Sequence, residues 1–479
     1  MTAGNYEMVV GLEVHVQLKT RSKAFCGCST DFGAAPNSNT CPICLALPGA
    51  LPVLNEKAVE FATRAALALG CTVHPVSIFA RKNYFYPDRP KGYQISQFDQ
   101  PLATGGHLRI GVDGEKSVGI TRVHMEEDAG KSLHDRYPGA TAIDLNRAGV
   151  PLIEIVSEPD MRSAKDAGAY LRTLRQLLLY LRVSDVSMEE GSLRVDANVS
   201  ARPVGQKDLG TKTEVKNMNS FSGVERALEF EFARQCALLD RGVKVSQETL
   251  LWDAVKGEAR VSRTKEGSHD YRYFPEPDLD PLVLDSKWMA EIKASIPELP
   301  ADRKKRMIPE YQLTAEEIEQ LTADPELADY FESTARWCAD AKTAANWVMG
   351  EVQAELNSSG VPVDSLRVRP ADLGQLIKLV ADGVVSRAAA RQIFTIMVET
   401  GKPAEQVAHD ASLLQVGDEG ALSAWIDEVV AEHPDEARRY MAGERKLQGV
   451  LVGFVMKKSA GKADPKRVNQ LLMSRAGAG

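Results

Sequence analysis

The feature that most constrains this chain is a change of hydrophobic period near residue 300. Before it, apolar residues alternate with polar ones. Leu12, Val14, Val16 and Leu18 alternate with Glu13, His15 and Gln17, and Leu193, Val195, Ala197 and Val199 with Arg194, Asp196, Asn198 and Ser200. That is the period of a half-buried strand. Val112-Asp113-Gly114 reads as the turn of a hairpin between HLRIGV and SVGITRVHM. One clear helix interrupts the strands: Ser163 and Asp166 form a capping signal, and Ala167, Leu171, Leu174, Leu178 and Leu181 follow at helical spacing. The Pro-rich, charged stretch Ser295 to Arg306 marks a boundary, and beyond it the pattern is helical. Thr314 and Glu317 make a capping box, and Leu373, Leu376, Ile377 and Val380 form one apolar stripe. Ile393, Phe394 and Met397 form another, which stops at Gly401-Lys402-Pro403. The expectation is an α+β fold: a mixed, mainly antiparallel β domain over 1–292, a helical domain over 293–404 and a small helical tail domain over 405–479.

Composition excludes some classes. At 479 residues the chain is long enough for several domains. It has no run of eighteen apolar residues, the length a membrane helix needs. Its first residues do not have the form of a signal peptide. Seven cysteines without an export signal argue against a disulfide framework, so a cytoplasmic location is expected. The net charge is −8, yet from Tyr440 onward Arg445, Lys446, Lys457, Lys458, Lys462, Lys466, Arg467 and Arg475 face only Glu444 and Asp464. Such a tail is either a solvated face or a phosphate-contacting surface.

Two groups of residues carry chemistry. Cys26-Gly27-Cys28 and Cys41-Pro42-Ile43-Cys44 are two short pairs separated by a loop, the arrangement that lets four thiolates close on a structural zinc. The second group is a set of charged strand faces. Parity puts Glu13 and His15 on one face, Arg194, Asp196 and Asn198 on another, and Lys212, Glu214 and Lys216 on a third. His124, Glu126, Glu127 and Asp128 crowd one segment, and Glu154 lies between Ile153 and Ile155. Taken singly, each is as readily a solvated face. Gathered on one sheet, they would offer oxygen ligands to a divalent cation and positive charge to a nucleotide. Ala129-Gly130-Lys131-Ser132 ends like a P-loop, but Met125 stands where its first glycine must be, so a Walker-type site is rejected. The run RKNYFYPDRPKGYQISQFDQP interleaves aromatic and basic residues, as a base-stacking surface or a packed loop would.

GLEVHVQL, PNSNTCPICLALPGALPVLN, RKNYFYPDRPKGYQISQFDQP, RVHMEEDAGKS, DLNRAGVPLIEIVSEPD, MEEGSLRVDANVS and GTKTEVKNMNSF resemble the signature blocks of the GatB family. DYRYFPEPDLDPL, NWVMGE and KADPKRVNQLL extend the resemblance over essentially the whole chain. It implies a cradle-shaped catalytic domain followed by helical and tail domains that engage tRNA. It also implies a heterotrimer with a separate amidase protein and a small linker protein as the other two members. The implied reaction is ATP- and Mg²⁺-dependent phosphorylation of the side-chain carboxylate of Glu-tRNA(Gln) or Asp-tRNA(Asn), followed by amidation with ammonia. Carried over by position, Glu13, His15, Glu127 or its neighbour Glu126, and Glu154 correspond to the Mg²⁺ ligands. Lys82, Asp196 and Glu214 correspond to polar positions of the phosphorylation pocket, to which strand parity adds Arg194, Asn198 and Lys216. The four cysteines occur in some members only, so zinc rests on their spacing here. A rival expectation, from the tail charge and cysteines alone, is a non-catalytic tRNA-binding scaffold with a structural zinc.

Overall fold

The computed structural model describes residues 5–111, 114–264, 271–415, 418–459 and 461–477. It divides into two compact units, Met1–Pro300 and Ala301–Gly479. The first is built on a ten-stranded sheet. Its principal strands are β1 (Tyr6–Gln17), β2 (Lys116–Glu127), β3 (Pro151–Ser157), β4 (Leu193–Pro203), β5 (Thr213–Lys216), β6 (Glu248–Asp253) and β7 (Glu258–Thr264). Their order across the sheet is β7-β6-β5-β4-β1-β3-β2, continued by the short strands Ala103–Thr104 and Thr72–Val73. All these pairings are antiparallel except β5 with β6.

The expected hairpin forms, with His107–Ile110 pairing to β2; Val112 and Asp113 at its tip lie outside the described residues. The expected helix runs from Ala164 to Tyr180, and the Ser163 hydroxyl accepts from the Asp166 amide. With the helices Glu56–Ala68 and Phe221–Asp240 it covers one face of the sheet. Leu12, Val14, Val16, Val123, Met125, Ile153, Ile155, Val195, Ala197 and Val215 are buried there in a single core. Strand alternation then sends every intervening side chain to the opposite face, and that face carries the charge. A separate three-stranded sheet contains Phe79–Asn83 between Tyr93–Gln97 and Phe274–Pro275.

The second unit is helical. Thr314 and Glu317 form the capping box at the helix Ala315–Leu321. The two expected stripes lie on Pro370–Ala381 and Arg387–Thr400, and Gly401 ends the latter in a left-handed conformation. One core spans Met307 to Ala408 and a smaller one Leu422 to Leu472. No helix among the described residues is long and apolar enough to cross a membrane.

Candidate active site

The polar face is assembled by register. His15 lies opposite Glu154 on β3 and Arg194 on β4, while Glu13 lies opposite Asp196. Glu154 in turn lies opposite His124, and Asn198 opposite Glu214. Five strands therefore bring together residues far apart in the chain.

Two clusters result. In the first, ligand atoms of His15, Glu126 and Glu154 lie within 4.8 Å of one another. His124 joins it, with its Nε2 3.1 Å from Glu126 Oε1 and 3.3 Å from Glu154 Oε2. Glu126 is oriented by Ser96 Oγ and Gln94 Nε2, which donate to it at 2.8 and 2.9 Å. In the second, ligand atoms of Glu13, Asp196 and Glu214 also lie within 4.8 Å of one another. Asn198 Nδ2 donates to Glu13 at 3.0 Å, and Thr249 Oγ1 to Glu214 at 2.9 Å. The Lys216 ammonium pairs with Asp196 and lies 3.1 Å from Glu214.

Burial and crowding set the protonation of both clusters. Burial raises the Glu13 pKa, and the neighbouring Glu154, Asp196 and Glu214 raise it further. Burial works against the His124 imidazolium, but Glu154 and Glu126 outweigh it and push its pKa up to about 9. Burial likewise opposes ionisation of Glu154, yet the His124 and His15 imidazoles hold its carboxyl well below the usual range. The Lys82 ammonium is disfavoured by burial but sustained by Glu126, Tyr273 and Glu154. Its Nζ sits 5.1 Å from the Tyr271 ring centre. Arg194 pairs with buried Asp128 at 2.9 Å, and Gln17 donates to the same carboxylate at 2.7 Å.

Glu13, His15, Glu126, Glu154, Asp196, Asn198, Glu214 and Lys216 are thus gathered into the two clusters, with Lys82 and Arg194 beside them. Glu127 stands apart. Adjacent strand residues face opposite ways, so Glu126 on the polar face puts Glu127 on the other side. There Glu127 pairs with Lys91 and accepts from the Ile95 amide at 2.9 Å. Several residues not singled out from the sequence support the site: Gln94 and Ser96, and the Tyr271 and Tyr273 rings. The first two lie in the aromatic and basic block, whose density of polar residues was their only signal.

The Cys26, Cys28, Cys41 and Cys44 sulfurs also lie within 4.8 Å of one another, and the group could bind zinc. The Cys41 amide donates to the Cys44 sulfur at 3.0 Å. A hydrogen bond from Cys26, that amide and the nearby Lys23 hold the Cys44 thiol down to about 4, while the Cys26 thiol is pushed up. All four are free thiols. Cys71 and Cys236 are buried elsewhere.

Residues 8–290 match the GatB/GatE catalytic domain family, and residues 329–475 match a second family described as the GatB domain. The B subunit of aspartyl/glutamyl-tRNA(Asn/Gln) amidotransferase from Trichlorobacter lovleyi is 53% identical over 98% of this chain and 99% of its own length. The proteins of the same name from Geobacter sulfurreducens and Moorella thermoacetica are 53% and 52% identical over the same shares. The chain belongs to the GatB family of amidotransferase subunits.

Proposed function

We propose that this chain activates the side-chain carboxylate of Glu-tRNA(Gln), Asp-tRNA(Asn) or both by phosphorylation from ATP, and that ammonia then displaces phosphate to form the amide. The observation that carries the reading is the pairing of two acidic clusters on one sheet face, with Lys82, Arg194 and Lys216 beside them. A solvated face would not bury Glu126 and Glu154 or surround them with imidazoles. The names of the relatives support the tRNA substrate.

Chemically, an oxygen of the substrate carboxylate attacks the γ-phosphorus and ADP departs. Ammonia then attacks the acyl carbon, and inorganic phosphate leaves with the oxygen. Bound Mg²⁺ and ATP supply charge neutralisation and the phosphoryl group. The donor set suits a hard cation: Glu126 and Glu154 offer carboxylate oxygens close together, and Glu13 extends the oxygen donors toward the second cluster. His15 is an unusual magnesium ligand. We assign it to holding Glu154, 3.4 Å away, and to orienting bound water. Asp196 and Glu214 fix the Lys216 ammonium, so that it and Lys82, Arg194 and Asn198 face phosphate oxygens. Glu127, on the other side of its strand, holds Lys91 in the pocket that the four-cysteine segment also lines.

Ammonia comes from a partner glutaminase, the amidase member of a heterotrimer that a small linker protein completes, because this chain carries no recognisable amidase signature. The cysteine cluster holds a structural zinc, and the tail from residue 405 contributes to tRNA binding. The test is amidation driven by ammonium salt, ATP and Mg²⁺ on both misacylated tRNAs. Amide product with matching ADP is expected on at least one of them. Tight tRNA binding with no ADP formed on either would favour the scaffold instead.

A further inference from the structure

We infer that Arg89 is a phosphate-binding residue of the site, directed at the polyphosphate of the nucleotide; this rests on the ATP-dependent function proposed above. Arg89 sits in the turn that joins the strands Phe79–Asn83 and Tyr93–Gln97. The turn is tied down at several points. The Tyr84 amide donates to the Gly92 carbonyl at 3.2 Å, the Arg89 amide to Tyr86 at 2.9 Å and the Gly92 amide back to Arg89 at 3.0 Å. The Gly130 amide donates to the Asp88 carbonyl at 2.9 Å, which fastens the turn to the segment following β2. A side chain at Gly130 would crowd that same carbonyl at 3.1 Å and the Asp144 carbonyl at 3.0 Å.

The guanidinium itself lies over the Tyr84 ring, 4.1 Å from its centre. Tyr84 stands 5.7 Å from Tyr271, the ring beside which the Lys82 ammonium sits. One wall of the site is therefore a row of cation, ring, ring and cation. Neither end has an ion pair among the described residues, but nearby acids outweigh burial at Lys82, whereas burial prevails at Arg89. Arg89 has no carboxylate within ion-pairing distance among the described residues, and its only described side-chain partner is the Tyr84 ring.

The acids whose field reaches Arg89 are Glu127, Glu126 and Asp128, and each is already engaged. Glu127 holds Lys91 and the Ile95 amide, Glu126 holds Ser96, Gln94 and His124, and Asp128 holds Arg194 and Gln17. Arg194 adds a second positive charge nearby. A half-buried guanidinium held on a ring, beside another guanidinium and without its own acid, is matched by an incoming polyanion. Its planar fork suits two oxygens of one phosphate. The neighbouring carboxylates point to the metal–nucleotide side of the site rather than to a neutral base.

The test uses the assembled amidotransferase with Arg89→Ala and Arg89→Lys. The KM for ATP in tRNA-stimulated ADP formation is measured beside the Kd of a non-hydrolysable ATP analogue and the Kd of the misacylated tRNA. Loss of a charge-assisted contact predicts about ten- to hundredfold weaker ATP binding in Arg89→Ala. A smaller loss is expected in Arg89→Lys, with tRNA affinity within about twofold of the parent in both. Weakened tRNA with unchanged ATP would overturn the assignment in favour of a backbone phosphate. No change in either would reduce Arg89 to packing. If Arg89→Ala fails to fold, Arg89→Lys decides alone: unchanged KM and Kd for ATP overturn the inference, and a rise in both supports it. A parent enzyme that forms no ADP at all would instead overturn the ATP-dependent function.

Discussion

The two units use charge in opposite ways. In the sheet unit the acids Glu126 and Glu154 are buried on one face and crowded against each other and against His15 and His124. In the helical unit most ion pairs among the described residues have an exposed partner, such as Arg369 with Asp372, Lys402 with Asp410 and Arg439 with Glu444. Exposed pairs of that kind contribute roughly 0–1 kcal/mol each. Buried like charges oppose folding until a cation or a ligand joins them. The difference teaches where to look for chemistry: the sheet unit gives up stability on one face, and the helical unit does not. Substitutions should therefore separate activity from stability in the first unit and leave them linked in the second.

The largest expected effect is on activity. Glu13→Gln should lower ATP-dependent amidation by at least about a hundredfold, since one member of a preorganised charged site is removed. Melting temperature should be unchanged or higher, because Glu154, Asp196 and Glu214 crowd that carboxylate and raise its pKa. A lower melting temperature with normal turnover would make the cluster structural and erase the contrast.

Next comes the cysteine cluster. Cys44→Ala, or zinc chelation, should destabilise the sheet unit by more than about 2 kcal/mol. Melting of the helical unit should not move. Metal analysis checks the premise, and absence of zinc from purified protein with all four thiols reduced would remove it.

The third effect concerns the tail. A cut at Tyr440 would remove Leu451, Val455, Val468 and Leu472 and so break the small core that begins at Leu422. Removal from Asp418 is the cleaner change. It should weaken tRNA binding and flatten its salt dependence while leaving ATP affinity intact. Lys458 already pairs with Glu428 and Glu432, and Arg475 with Asp427, so fewer than all eight basic residues should count toward the slope. Filter binding of the truncated complex across a salt series measures this; an unchanged slope would leave the tail a solvated face.

The smallest expected effect lies within the helical unit. Glu332 accepts from Arg306 at 2.8 Å and from Tyr311 at 3.2 Å, and pairs with Arg303. Burial opposes its ionisation, but Arg306 and Arg303 outweigh burial and lower its pKa. Its contribution is therefore present above the ordinary carboxylate range and is lost as pH falls through the lowered value. Glu332→Gln should cost about 1–3 kcal/mol near neutral pH and progressively less in acid. Denaturant unfolding at several pH values reads this, and a loss independent of pH would mean packing rather than charge.

The legible part of the fold was local. Alternation in β1 and β4, the caps at Ser163 and Thr314 and the stripe from Leu373 to Val380 all act between residues a few positions apart. The pairing of strands was not legible, because Glu13 meets Asp196 and His15 meets Glu154 only through a register that no local pattern encodes. Parity did carry one answer within RVHMEED. Val123 and Met125 face the core, so Glu126 joins the site and Glu127 does not. Arg89 stayed hidden for a different reason. A cation of this kind is marked by the absence of a partner, and an absence is visible only once every neighbour is placed.

The most direct test is tRNA-stimulated ADP formation by the assembled enzyme, followed across Mg²⁺ concentrations for the parent, Glu13→Gln and Glu154→Gln. If the polar face of the sheet holds the metal–nucleotide, both variants should keep their fold and tRNA affinity. Glu154→Gln should form essentially no ADP at limiting Mg²⁺, with partial recovery of either variant only at high Mg²⁺. Parent-like rates from both at limiting Mg²⁺ would contradict it and leave the two clusters as structure alone.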